Sequence, residues 1–265
     1  TKLAVYALAR SYAGTEILIY IGAVMAVFPV FFALIENDLR RVLAYSINNQ
    51  LGFLVVGVGI GTELALNGTA VHAVVHILYK ALLLMTMGAV LFRTGTCKAT
   101  ELGGLYKSMP WTTTFCVVGA AASAAFPLFS GFISKSLIMS AIGKEQHWFV
   151  WGMLVFAAAG VVFHSGLKVP YFAFFAHDSG KRVKEAPWNM LLAMGLTAFL
   201  CIFIGVYPQA LYDILPFPVD YVPYTTAHVI TQLQLLMFSA LAFTVLMLYK
   251  IYPPELKSTN LDTDW

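Results

Sequence analysis

The succession of long apolar stretches constrains this chain more than any other feature of its sequence. A helix needs about 20 predominantly apolar residues to cross a bilayer, and several stretches reach that length. The spans that we predict to cross are 15–35, 41–61, 68–92, 111–143, 148–176, 188–208 and 225–251, after the stump of a helix at 1–10. The fourth span contains Pro127 and Gly131, which predict a break in its helix.

The composition favours a membrane protein over a soluble one. The chain is 60% hydrophobic and 11% charged, whereas soluble domains carry about 25% charged residues. It opens within an apolar stretch at a residue other than Met, so we expect the C-terminal part of a longer protein. We find no metal-ligand spacing among its three cysteines, and no nucleotide, haem, iron–sulfur or nucleic-acid motif. We therefore predict no cofactor, no metal, no catalytic residue and no nucleic-acid partner.

The basic residues of the loops predict the orientation of the spans. If every span crosses, ten basic residues lie on one side of the membrane and two, Arg10 and Lys144, on the other. The ten are Arg40, Arg41, Arg93, Lys98, Lys107, Lys181, Arg182, Lys184, Lys250 and Lys257. The positive-inside rule then places the loops around 36–41, 93–110 and 177–187, and the C-terminus, on the cytoplasmic side of the membrane.

Three ionisable side chains share one face of the span 68–92. His72, His76 and Lys80 lie at positions i, i+4 and i+8, which stack on one side of a helix. A cation at mid-bilayer costs roughly 2.5 to 3.5 kcal/mol or more, so this pattern indicates a path for protons or ions. The alternative is a polar stripe that hydrogen-bonds to neighbouring helices. Metal binding by the two histidines lacks a third ligand.

Two more lysines are candidates for the same path. Lys135 follows Gly131 by four residues, and helix breaks inside membranes mark ion sites where they line a cavity. The alternative is a simple kink, with Lys135 in water. Lys2 lies in the first apolar stretch, where it equally suits a lysine that snorkels to the interface. Burial away from water favours the neutral form of an amine, which allows proton exchange near neutral pH.

His164 and Lys168 form a secondary candidate pair. They share a face of the span 148–176, again at i and i+4. Lys168 lies near one end of that span, where snorkelling is the ordinary explanation of a lysine. We therefore regard the pair as a possible extension of the path.

Four segments together resemble the antiporter-like membrane subunits that Mrp-type multisubunit Na⁺/H⁺ antiporters share with respiratory complex I. Asp38-Leu-Arg-Arg-Val-Leu-Ala-Tyr-Ser-Ile-Asn-Asn-Gln-Leu-Gly52 resembles the family's helix-opening motif, and His72…His76…Lys80-Ala-Leu-Leu its following helix. Gly131-Phe-Ile-Ser-Lys135 resembles the broken helix with the distal lysine, and Thr1-Lys2-Leu-Ala-Val-Tyr-Ala-Leu the helix with the central lysine. Within the family the chain is most similar to the D-type subunit of the Mrp-type antiporters.

The resemblance implies an all-α, polytopic transmembrane bundle built from inverted five-helix repeats. Residues 1–14 would end a first repeat, 15–176 would form the second repeat with one broken helix, and 177–265 would hold further membrane helices and a polar tail. It also implies a polar axis through Lys2, the His72, His76 and Lys80 group, and Lys135.

We therefore expect a proton-translocating subunit of a multisubunit antiporter that exchanges Na⁺ or another monovalent cation for H⁺, rather than an enzyme. Its partners would be other membrane subunits, protons, monovalent cations and the lipid bilayer. One alternative is a proton-pumping subunit of a complex I-like NADH:quinone oxidoreductase or a membrane hydrogenase. Another is a membrane scaffold that transports nothing.

Overall fold

The computed structural model describes residues 2–249, which form helices joined by loops. The helices are α1 (Lys2–Ser11), α2 (Ile17–Ile35), α3 (Leu39–Ile60), α4 (Glu63–Thr94), α5 (Pro110–Ser123), α6 (Ser130–Lys144), α7 (Trp148–Val161), α8 (Trp188–Val206), α9 (Gln209–Tyr212) and α10 (Thr226–Leu248). α7 continues as π-helical turns over Val162–Lys168 and Tyr171–Phe175. The predicted polar tail, with Lys250 and Lys257, lies outside the described residues.

The all-α, polytopic architecture predicted from the sequence is confirmed. Six helices of residues 2–249 are long and apolar enough to cross a membrane: α2, α3, α4, α7 with its continuation to Phe175, α8 and α10. The predicted span 111–143 is the broken helix, because α5 and α6 are separated by a turn at 124–129. The division into repeats at 14 and 176 stays a prediction.

Glycines bring α2 and α3 into backbone contact. A Cβ atom on Gly52 would lie 2.3 Å from the backbone nitrogen of Ala26, and one on Gly22 would lie 2.6 Å from that of Val56. The Asn49 amide of α3 also donates to the Ala26 carbonyl of α2. Small residues of this kind allow membrane helices to pack closely where lipid provides no hydrophobic driving force. α3 therefore has a fixed position beside the interior of the bundle.

Three loops meet at one end of the bundle. The Leu39 backbone N–H donates to the Cys97 carbonyl (2.9 Å), and Arg93 Nε donates to the Glu185 carbonyl (3.0 Å). Lys107 pairs with Asp178 at 3.1 Å. The loops around 36–41, 93–110 and 177–187 thus lie together, and we name this the basic end.

The opposite end carries the loops near 12–16, 61–62, 145–147 and 207–225. The Gly14 backbone N–H donates to the Val58 carbonyl at 3.0 Å, and residues of the other three loops line one shallow surface pocket. Which end faces the cytoplasm stays a prediction from the positive-inside rule.

We expect the substitution Gly52→Ala to destabilise the fold by about 1 to 3 kcal/mol, because the added methyl overlaps the backbone of α2. Thermal unfolding of the purified protein in detergent measures this loss. Gly88→Ala in α4 is the matched control, since its Cβ would meet nothing within 4 Å. Equal melting temperatures for the two variants would contradict the close contact of α2 and α3.

Candidate functional site

The polar face of α4 points into the bundle rather than at lipid. His72, His76 and Lys80 are 0%, 2% and 3% exposed. The two imidazole rings stack with their centroids 5.9 Å apart. Each side chain is therefore held away from bulk solvent, in the interior that the predicted path requires.

Lys2 and α6 complete the region around the two histidines. Lys2 Nζ forms a hydrogen bond with His76 Nδ1, which joins α1 to α4. His72 Nδ1 forms one with Ser134 Oγ at 2.9 Å, which joins α4 to α6. Three separate helices thus bring their polar groups together here, and a role for these groups in transport stays a prediction.

Lys80 lies between α3 and the π-helical part of α7. Its ammonium donates to Ser46 Oγ at 2.5 Å and to Ser165 Oγ at 3.1 Å. The Ser165 hydroxyl lies 2.8 Å from Ser46 Oγ and 3.0 Å from His164 Nδ1. Lys80 is therefore connected to His164 by a continuous line of hydrogen-bonding groups.

Lys135 belongs to α6, and its side chain packs against the C-terminal end of α5, the first half of the broken helix. It is 6% exposed, and its Nζ donates to the Ser123 carbonyl at 2.8 Å. The last carbonyls of a helix lack partners within it and carry a partial negative charge, which suits a cation. The turn that follows has positive φ angles at Ala125 (58°) and Leu128 (73°), which non-glycine residues rarely adopt.

Pro127 and Gly131 have different roles in the break. Pro127 lies within the turn, whereas Gly131 is the second residue of α6. A Cβ atom on Gly131 would lie 1.8 Å from the Ala122 carbonyl oxygen, so only glycine permits this contact of the two half-helices. The contact holds the start of α6 against the end of α5, and Lys135 follows one turn later.

A cavity of about 560 Å³ adjoins Lys135. α6, α7 and α10 form its walls, with Trp151 and Phe238 among the aromatic side chains. It extends to Gly143 and Trp148, which lie next to the loop at 145–147. Lys135 thus borders a space that runs toward the opposite end of the bundle.

Lys168 does not snorkel to water. It is buried, and its ammonium donates to the carbonyls of Ala33 (3.0 Å), Leu34 (2.8 Å) and Glu36 (2.6 Å) at the end of α2. This is the same arrangement as at Lys135, a lysine at the C-terminal end of another helix. His164, the other member of the secondary candidate pair, instead forms a hydrogen bond with Ser165, which also bonds to Lys80.

The comparisons with known proteins identify the family. A family model described as NADH:quinone oxidoreductase/Mrp antiporter, TM, matches residues 1–160. The chain belongs to this family. It is a membrane protein with several apolar helices, and the resemblance noted in its motifs is confirmed.

Individual relatives come from both branches of the family. NADH-ubiquinone oxidoreductase chain 5 of Hypocrea jecorina is 30% identical, covering 78% of this chain and 32% of its own length. The D-type subunit of the Na(+)/H(+) antiporter of Alkalihalophilus pseudofirmus is 33% identical, covering 67% and 38%. The solved Mrp complex from Dietzia sp. DQ12-45-1b matches with a TM-score of 0.73 and 25% identity, covering 91% of this chain and 28% of that one. The chain thus spans about a third of the length of these curated relatives.

Several partners in this site were not predicted from the sequence. Ser134 and Ser165 carry no pattern of their own, and each gains its role only because a different helix packs against it. Only their places in the sequence could have suggested a role, because Ser134 directly precedes Lys135 and Ser165 directly follows His164.

For the break in the membrane helix, we expect Gly131→Ala to force α5 and α6 apart and to displace Lys135. Transport by the full-length protein in its complex should fall at least tenfold, since misplacement by about 1 Å can cost a hundredfold. Gly152→Ala in α7 is the control, because its Cβ would meet no atom within 4 Å. Full transport by the Gly131 variant would show that the contact is dispensable.

Proposed function

We propose that this chain is part of a proton-translocating membrane subunit of a multisubunit antiporter that exchanges a monovalent cation, such as Na⁺, for H⁺. The observation that carries the proposal is a set of amines, buried for Lys80 and Lys135 and half-buried for Lys2, that have no carboxylate partner among the described residues. Within residues 2–249, Lys2, Lys80 and Lys135 bond to an imidazole, hydroxyls and a carbonyl. Such a set is costly to keep in a membrane bundle unless it serves transport.

Neutral partners suit a group that must change its protonation. A buried ammonium next to a carboxylate is held by strong Coulomb attraction, and removing one member of such a pair is expensive. A lysine held by hydroxyls or carbonyls lacks that attraction and can alternate between charged and neutral forms. Lys80 and Lys135 would in this way receive and release the transported proton.

The two histidines would connect the lysines. His72 and His76 each bond through Nδ1, whereas the buried Nε2 of each has no protein partner among the described residues. Buried polar atoms need a hydrogen-bond partner, and water fills that need where the site is polar. A water chain along the Nε2 atoms would join Lys2, Lys80 and Lys135, with the cavity beside Lys135 giving access to the opposite end.

Membership of the family also supports a proposal for the orientation of the protein in the membrane and for its partners. We propose that the basic end faces the cytoplasm of a bacterial inner membrane, with the loops around 36–41, 93–110 and 177–187 there. The partners would be further membrane subunits, since the similar Mrp chain was solved as part of a complex. Protons, monovalent cations and the lipid bilayer would be its other partners.

The second candidate function is a proton-pumping subunit of a redox complex, favoured by the match to an NADH-ubiquinone oxidoreductase chain. Purification of the native complex separates the two. Flavin and iron–sulfur absorbance in stoichiometric amount would select the redox pump, whereas a complex of small membrane subunits without these groups would select the antiporter.

In the full-length protein within its complex, we expect Lys135→Ala to reduce cation-dependent proton exchange at least tenfold, because the distal proton carrier is lost. Exchange is measured in inverted membrane vesicles from the change of internal pH after Na⁺ addition. Lys144→Ala is the matched control, since Lys144 ends the same helix and is exposed.

Normal exchange by a correctly assembled Lys135 variant would refute the role given to Lys135. If Lys80→Leu also left exchange intact, the scaffold alternative would replace the proposed function.

A further inference from the structure

The π-helical continuation of α7 turns three polar side chains into the bundle. His164, Ser165 and Lys168 lie within the turns over Val162–Lys168, and all three are buried. π-Helical turns are rare in proteins, and those that do occur are often found at functional sites. This segment contacts α3, α5 and α10, so its polar groups lie in the interior rather than at lipid.

The inner part of this segment is connected to Lys80. Lys80 Nζ donates to Ser165 Oγ (3.1 Å), and Ser165 Oγ lies 3.0 Å from His164 Nδ1. The other ring nitrogen, His164 Nε2, is buried and has no protein partner among residues 2–249. An imidazole with one nitrogen on a hydrogen-bonded line and the other unpaired can accept a proton on one side and release it on the other.

The outer part of the segment reaches the basic end. Lys168 lies one turn beyond His164, and its ammonium donates to the Glu36 carbonyl at 2.6 Å. Glu36 is buried, and its carboxylate accepts from the backbone N–H groups of Asn37 (2.8 Å) and Asp38 (3.0 Å). These two residues lie in the loop between α2 and α3, so Lys168 and Glu36 form a hydrogen-bonded group at the basic end, one helical turn from His164.

We propose that His164 is a proton carrier that links Lys80 to the basic end of the bundle, through Ser165 on the inner side and toward Lys168 and Glu36 on the outer side. The inference rests on the proposed function and gives it a second access route, since the cavity beside Lys135 runs to the opposite end.

We call this route from Lys80 through Ser165 and His164 to the basic end the branch. Each of its steps is a proton transfer without redox chemistry. The Lys80 ammonium gives a proton to Ser165 Oγ as the Ser165 hydroxyl proton passes to His164 Nδ1. His164 Nε2 then releases its own proton toward Lys168, which leaves the ring as the Nδ1–H tautomer. A rotation of the ring restores the Nε2–H tautomer before the next transfer. The net result is one proton moved from Lys80 toward the basic end.

The experiment uses His164→Gln in the full-length protein within its complex. Glutamine is polar and can keep a hydrogen bond to Ser165, but it cannot carry a proton at neutral pH. We expect cation-dependent proton exchange in vesicles to fall at least tenfold with normal assembly. His177→Gln is the matched control, because His177 is exposed in the loop after α7 and should leave exchange unchanged.

A second variant tests the proposal independently if the His164→Gln protein does not assemble into its complex. Ser165→Ala removes the hydroxyl between Lys80 and His164 with little change in volume, and it should also reduce exchange. Normal exchange by either assembled variant overturns the branch.

The same assay, run on Lys80→Ala, separates the branch from the proposed function. Loss of exchange in Lys80→Ala, with normal exchange in the His164 and Ser165 variants, removes the branch alone. Normal exchange in Lys80→Ala removes the proposed function and the branch with it.

Discussion

The cost of keeping amines out of water is the constraint on which the rest of this structure depends. The structure meets it by placing lysines at the C-terminal ends of helices, where carbonyls lack partners within the helix. Lys135 bonds to the end of α5 and Lys168 to the end of α2. The partner of Lys135 is the partial charge of a carbonyl, whereas Lys168 also interacts with the negative charge of the buried Glu36. Lys135 therefore remains able to give up its proton.

The broken helix is arranged around the same requirement. Glu185 accepts from the Trp111 backbone N–H (2.9 Å) and the Thr112 hydroxyl (2.6 Å) at the start of α5, while Lys135 lies at its end. A half-helix with an anion at its N-terminus and a cation at its C-terminus has both ends of its dipole satisfied. Irregular backbone at membrane depth is tolerated where it is enclosed by protein, and the Gln232 amide of α10 accordingly donates to the Ala124 carbonyl in the turn.

Much of the fold was predictable because membrane helices are specified locally. The length of an apolar stretch predicts whether its helix crosses the membrane. Pro127 and Gly131 predict a break in a helix, so the spans and this interruption follow from neighbouring residues alone. Counting crossings predicts one shared side for the three basic loops, and which side of the membrane they face stays a prediction. The position of Lys168 was harder, because a lysine near a span end is ordinarily explained by snorkelling. Only the packing of α7 against α2 gives its ammonium three carbonyl partners.

The sequence by itself determined an all-α membrane bundle, the face shared by His72, His76 and Lys80, and the family to which the chain belongs. The tertiary structure alone decided which hydroxyls and carbonyls contact each lysine, that Lys80 is connected to His164, and that Lys135 borders a cavity. The physical reason is that helical periodicity specifies which face of one helix is polar. The partner across the interface depends on how two helices pack, and that is set by close contacts such as those of Gly22 and Gly52.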